Sequence, residues 1–265
     1  MTSLSAPAPR TPLRRRPVGT FLLLLVALSL MAGAYAVFAP STRAATEGVG
    51  SADRGRQLFQ QNCSTCHGLS AEGSGNGPSL VGVGAASVDF QVGTGRMPLA
   101  APGAQAARGR VLFSQDEIND LAAYVASLGP GPSIPSAADV DPSKANSALG
   151  GEIFRTNCSM CHNFAGAGGA LTQGKYAPSL LDTSPKHVAE AMLTGPQNMP
   201  VFSDAQISPA QKRAIIAYLK ASKDTSSPGL TGLGALGPTS EGLFGWIAGL
   251  GLLIACAVWL AQKAR

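Results

Sequence analysis

Apolar residues are unevenly spread along this chain. From Phe21 to Phe38 the sequence FLLLLVALSLMAGAYAVF holds no charge, and from Leu243 to Leu260 LFGWIAGLGLLIACAVWL again holds none. A membrane-crossing helix needs about 20 apolar residues, so each run qualifies once its flanking residues are counted. Between the runs the pattern turns amphipathic. Leu58 and Phe59 share a helical face with Gly55, and Ile153 and Phe154 share one with Gly150, which predicts two helices of the same design. Two more are predicted at about 116–128 and 208–222, the latter opened by Ser208 as N-cap with Pro209 in its first turn. No alternating strand pattern competes, so the fold class is all-α. Gly129 to Ala145, with four prolines, reads as a semi-rigid spacer. The stretch up to Gly242, rich in Gly, Ser and Pro, reads as a flexible tether.

Charge assigns sides to this layout. Arg10, Arg14, Arg15 and Arg16 precede the first run, and Lys263 and Arg265 follow the second. Basic flanks face the cytoplasm, which places both termini inside and everything between the runs outside. A signal peptide is the alternative for the first run, since Ala34-Tyr35-Ala36 resembles a small-x-small cleavage site. Eighteen apolar residues exceed the roughly 7 to 15 of a signal-peptide core, which favours a retained anchor. The formal net charge is +5, but 6 of the 20 basic residues lie in the flanks, leaving 14 against all 15 acidic residues outside. The basic balance therefore reports topology and gives no ground for a nucleic-acid partner. Within the exported part, residues 47–128 carry 5 basic and 7 acidic residues, whereas 144–224 carry 8 and 5.

The exported part repeats itself. Gly55, Phe59, Asn62, Cys63, Ser64, Cys66 and His67 recur as Gly150, Phe154, Asn157, Cys158, Ser159, Cys161 and His162, at a constant offset of 95. Pro78-Ser79-Leu80 recurs as Pro178-Ser179-Leu180, Met97-Pro98 as Met199-Pro200, and Tyr124 as Tyr218. Ordered matches of this kind mark a duplicated unit. The organisation is a cytoplasmic basic segment at 1–20, an anchor at 21–38, a first domain at 47–128, the spacer at 129–145, a second domain at 146–223, the tether at 224–242 and a membrane helix at 243–260. Each domain has roughly 80 residues, a size that calls for a cofactor or staple.

That cofactor is written in the cysteines. Cys-x-x-Cys alone fits a redox pair, half a zinc site or haem attachment, and a histidine directly after it selects the last. Cys63 and Cys66, and Cys158 and Cys161, would add across the vinyl groups of two c-type haems. His67 and His162 would then bind the irons. Two disulfides would not need the histidines, and a four-cysteine zinc site joins knuckles about 15 to 20 residues apart, not 95. Met97 and Met199, each before a proline and 30 and 37 residues after their histidines, are candidate sixth ligands. Two saturated irons leave no open site for peroxide, and thioether ligation raises the potential, so the chemistry indicated is electron transfer. Pro78 and Pro178 stand where a backbone carbonyl accepts the histidine ring N–H and fixes the imidazole. His187 reads as an exposed helix residue, Cys256 as a small apolar residue of the last helix, and Trp246 and Trp259 as interfacial anchors.

The series Gly55, Phe59, Cys63-Ser64-Thr65-Cys66-His67, Met97, Leu121 and Tyr124 resembles class I cytochromes c, and Gly150 to Tyr218 resembles them a second time. The resemblance implies that the first and last helices of each domain cross at the glycine. Two such domains between two anchors, with GRMPLAAPGAQAARG after the first haem unit, resemble the dihaem cytochrome c subunits of actinobacterial cytochrome bc1 complexes. That likeness implies cytochrome b and a Rieske iron–sulfur protein as partners in a lipid membrane. It further implies electrons entering at the first haem and leaving through the second to a haem-copper terminal oxidase. A membrane-anchored acceptor subunit of a periplasmic dehydrogenase is the alternative the sequence leaves open.

Overall fold

The computed structural model describes residues 17–38, 50–101, 103–224 and 238–263, and the chain divides into Met1–Glu47 and Gly48–Arg265. The basic residues Arg10 to Arg16, Arg265 and most of the tether lie outside the described residues. In the first unit the described structure is one helix, α1 (Pro17–Phe38). Its apolar stretch Val18–Gly33 falls short of a span by itself.

In the second unit the first repeat is built from α2 (Ala52–Asn62), the one-turn α3 (Ser64–His67), α4 (Ala85–Gly93) and α5 (Gln115–Ser127). Ser114 and Glu117 form a capping box that fixes the start of α5. Helix α2 crosses α5 at Gly55, where a Cβ would fall on the Asp120 carbonyl. Phe59, 1% exposed, then packs against Tyr124 with tilted rings whose centroids lie 5.3 Å apart. Arg54 pairs with Asp120 at 2.8 Å beside the crossing.

After α6 (Ala137–Val140) the second repeat follows the same plan, with α7 (Ser147–Asn157), α8 (Ser159–His162), α9 (Pro185–Thr194) and α10 (Pro209–Asp224). A Cβ on Gly150 would fall on the Ala214 carbonyl, and Phe154 meets Tyr218 with the same 5.3 Å separation. The all-α expectation needs one amendment. A two-residue hairpin, β1 (Gly169–Ala170) with β2 (Tyr176–Ala177), stands in the second repeat. The histidine-to-proline spacing is 11 residues in the first repeat and 16 in the second, and the hairpin absorbs the surplus.

The spacer is pinned rather than free. Ala86 N–H donates to Pro132 O at 3.1 Å, Ile134 packs on the first core, and Val140 of α6 packs on the second. Helix α11 (Pro238–Lys263) closes the chain. Its segment Glu241–Lys263, 23 residues of mean hydropathy 2.2, is the one described helix long and apolar enough to cross a membrane. Lys263 Nζ lies 5.3 Å from the Trp259 ring at its end.

Candidate functional site

Each cysteine pair sits at a helix joint. Cys63 N–H and His67 N–H close the turn onto Phe59 O and Cys63 O, and Cys158 and His162 repeat this on Phe154 O and Cys158 O. The buried phenylalanine of each repeat thus anchors the turn that carries the thiols. His67 Nδ1 lies 2.8 Å from Pro78 O and His162 Nδ1 lies 3.0 Å from Pro178 O. A carbonyl only accepts, so Nδ1 carries the proton in both rings and Nε2 keeps its lone pair for an iron. Gly77 makes the first contact feasible, because a Cβ there would stand 2.8 Å from Cys66 O and 3.1 Å from His67 Nδ1.

In the second repeat, Cys158, Cys161, His162, Pro178 and Met199 all line one cavity whose free space, open mouth included, is about 1270 Å³. Phe154, Leu180, Val188, Met192, Ile215 and Leu219 make the remaining wall mostly apolar, as a flat aromatic macrocycle requires. In the first repeat Cys63 and Met97 flank one apolar cluster with Leu80. Burial first, then the neighbouring cysteine of each pair, pushes the Cys63 and Cys158 thiols up to about 11, so in the unattached chain both are neutral sulfhydryls at neutral pH. Burial also lowers the His162 pKa, which keeps the ring neutral and able to ligate.

The repeats meet through α4 and α9, and here the structure holds what sequence reading missed. Asp89 and Glu190, both 0% exposed, face each other from opposite repeats. Lys186 Nζ lies 2.6 Å from Asp89 Oδ2, and Gln115 Nε2 donates to Asp89 Oδ1 at 3.0 Å. Neither Glu190 oxygen meets a donor, and His187 Nε2 is 4.0 Å from one of them. Burial first, then the hydrogen bond to Asp89 and the Asp89 charge, push Glu190 up to about 9, so it is protonated at neutral pH. Burial opposes the Asp89 charge too, but hydrogen bonds from Glu190, Lys186 and Gln115 hold its pKa below the ordinary range. The two carboxyls therefore share one proton. His187, expected on the surface, is instead mostly buried, edge-on to Phe90 at 6.1 Å. Nothing in its own segment foretells this, since its cover comes from the other repeat.

Two side-chain amides fasten the repeats further. Gln105 donates to Tyr176 O at 2.7 Å and accepts from Tyr176 N–H at 2.9 Å. Gln197 does the same for Ala106, at 2.9 and 3.1 Å. The loop after Met97 is thus bound to the rim of the second cavity.

A profile of the family described as "Cytochrome C oxidase, cbb3-type, subunit III" matches residues 50–125 and 145–219, one match per repeat. The cytochrome bc1 complex cytochrome c subunit of Mycobacterium tuberculosis is 43% identical over 96% of this chain and 94% of its own length. The subunit of the same name from Corynebacterium efficiens is 44% identical over 79% of this chain and 76% of its own, and that of Mycobacterium leprae 43% over 92% and 87%. The profile spans only the haem-motif repeats, whereas these relatives extend over the flanks as well. With tandem cytochrome c domains and this likeness along nearly its whole length, the chain belongs to the family of cytochrome bc1 complex cytochrome c subunits.

Proposed function

We propose that the chain is the two-haem electron relay of a membrane-bound cytochrome bc1 complex. The observation that carries this is the gathering of two thiols, a histidine with its Nδ1 committed and a methionine around one apolar cavity, in a motif present twice. Cys63 and Cys66 hold one haem and Cys158 and Cys161 the other. His67 with Met97, and His162 with Met199, would hold the two irons. Bound haem supplies a one-electron couple. Pro78 and Pro178 orient the imidazoles, and the apolar walls keep water from the iron and favour the reduced state. The relatives' name supports assembly with the other subunits of a bc1 complex, among which cytochrome b and the Rieske protein are the natural neighbours. Electrons enter at the first haem and leave at the second for a haem-copper oxidase, so the chain serves a quinol-oxidising translocase without converting a substrate itself. Helix α11 spans the membrane, and α1, 22 residues once the residues beyond its apolar stretch are counted, spans it a second time, with the termini inside and the haem domains outside.

Purification from native membranes in mild detergent tests this reading. Co-purifying b-type haem and a Rieske chain are expected, with a-type haem added if the oxidase is bound. A flavin or quinoprotein chain in their place would instead favour the dehydrogenase alternative. The spacer gives a second test, because tunnelling falls steeply with distance and the pinned segment sets the separation. Replacing Pro130, Pro132 and Pro135 with Gly or Ser is expected to slow inter-haem transfer in flash kinetics while both haem spectra stay the same. Unchanged kinetics would mean that the helix packing alone fixes the distance.

A further inference from the structure

Two guanidinium groups of the first repeat, Arg96 and Arg108, line the cavity of the second. Arg96 is 8% exposed, and its contacts are neutral ones. Nη1 donates to Thr94 Oγ1 at 2.6 Å, and the group stands 4.8 Å from the centre of the Phe90 ring. Among the described residues neither arginine forms an ion pair with a carboxylate. Arginine is rarely buried unless paired, and an uncompensated buried cation is strongly destabilising.

The backbone holds the two cations in place. Gly95 and Gly109 touch so closely that a Cβ on Gly95 would run into the Gly109 carbonyl, and Gly109 N–H reaches Thr94 O at 3.4 Å. The amide clamps of Gln105 and Gln197 fix the same loop on the second repeat. Asn198 stands in the second repeat where Arg96 stands in the first, so the second repeat lacks this cation of its own.

We propose that Arg96 and Arg108 form an anion site donated across the repeat boundary, which takes the carboxylates of the haem held in the second cavity. The site rests on the proposed haem attachment. The same chemistry would also suit a free inorganic anion, and the test separates the two sources.

The test is a potentiometric titration of the full chain in detergent, for wild type, Arg96→Gln, Arg96→Lys and Arg108→Gln. The second haem is identified as the component lost when Cys158 and Cys161 are both replaced by Ser. Loss of a cation near the iron favours the oxidised state. Arg96→Gln is therefore expected to shift the second couple toward oxidation by on the order of tenfold, about 59 mV. Arg96→Lys should restore most of it, Arg108→Gln should move the same component less, and the first haem, whose proposed ligand Met97 adjoins Arg96, should move less than the second. Unmoved potentials, or equal movement of both, would overturn the assignment. So would a saturable response of the wild-type second potential to added inorganic phosphate, which would mean that the arginines are open to free anions. Should Arg96→Gln not fold, the exposed Arg108 carries the test alone. Finding fewer than two c-type haems per chain would instead defeat the functional reading, whatever the arginines do.

Discussion

Gly150→Ala is expected to destabilise the second repeat by about 3 kcal/mol, at the upper end of what overpacking costs. Alanine would gain up to about 1 kcal/mol of helix propensity, so a neutral site would show a small stabilisation. Here the added carbon would coincide with the Ala214 carbonyl, a rigid part of α10 that has no rotamer to escape into. The helices must separate, and Phe154 and Tyr218 would lose their contact with them. Thermal unfolding by circular dichroism should fall on the order of 12–24 °C for a repeat of this size. Gly55→Ala should do the same to the first repeat through the Asp120 carbonyl. Gly75→Ala, with nothing within 4 Å of the new carbon, should stay within about 0.5 kcal/mol of wild type. A wild-type midpoint for Gly150→Ala would show that the crossing has slack.

The second large effect is one of pH. Folding raises the Glu190 pKa from 4.5 to about 9. Its contribution is fully present below 4.5, where folded and unfolded chains are both protonated. It is lost as pH climbs toward about 9, because the unfolded chain releases the proton while the folded one retains it. Asp89, held low, acts in the opposite sense and only in acid, where its contribution fades as pH falls below the ordinary carboxylate range. Glu190→Gln keeps the shape, supplies a permanent N–H toward Asp89 and has no proton to lose. It should therefore be more stable than wild type at pH 7.5 by on the order of 2 kcal/mol, about 4–8 °C for a unit the size of both repeats together, with a flatter profile between pH 5 and 8.5. A variant that retained the wild-type slope would place the titrating group elsewhere.

Helices were legible wherever one segment carried its own signal. The faces of α2 and α7 follow from the apolar spacing around Phe59 and Phe154, and α10 begins where Ser208-Pro209 places it. The thiols and histidines were visible because they are contiguous in sequence. What stayed hidden was made by two distant segments at once. Asp89 alone reads as a surface acid of α4 and Glu190 alone as a surface acid of α9, yet each is buried by the other's helix. His187 and Arg96 were hidden for the same reason. The five-residue surplus that became the hairpin was present in the spacing, but Gly- and Ala-rich residues give no strand pattern to announce it.

The segment between the repeats hooks the first core with Ile134 and the second with Val140, only six positions apart. Loops ordinarily tolerate insertions, since extra length costs little closure entropy. This one does not have that freedom, because an added residue must either bulge out or unhook one core. Its length is therefore heritable information, and descendants of the original duplication are expected to vary at their ends and surface loops while this interval keeps its count.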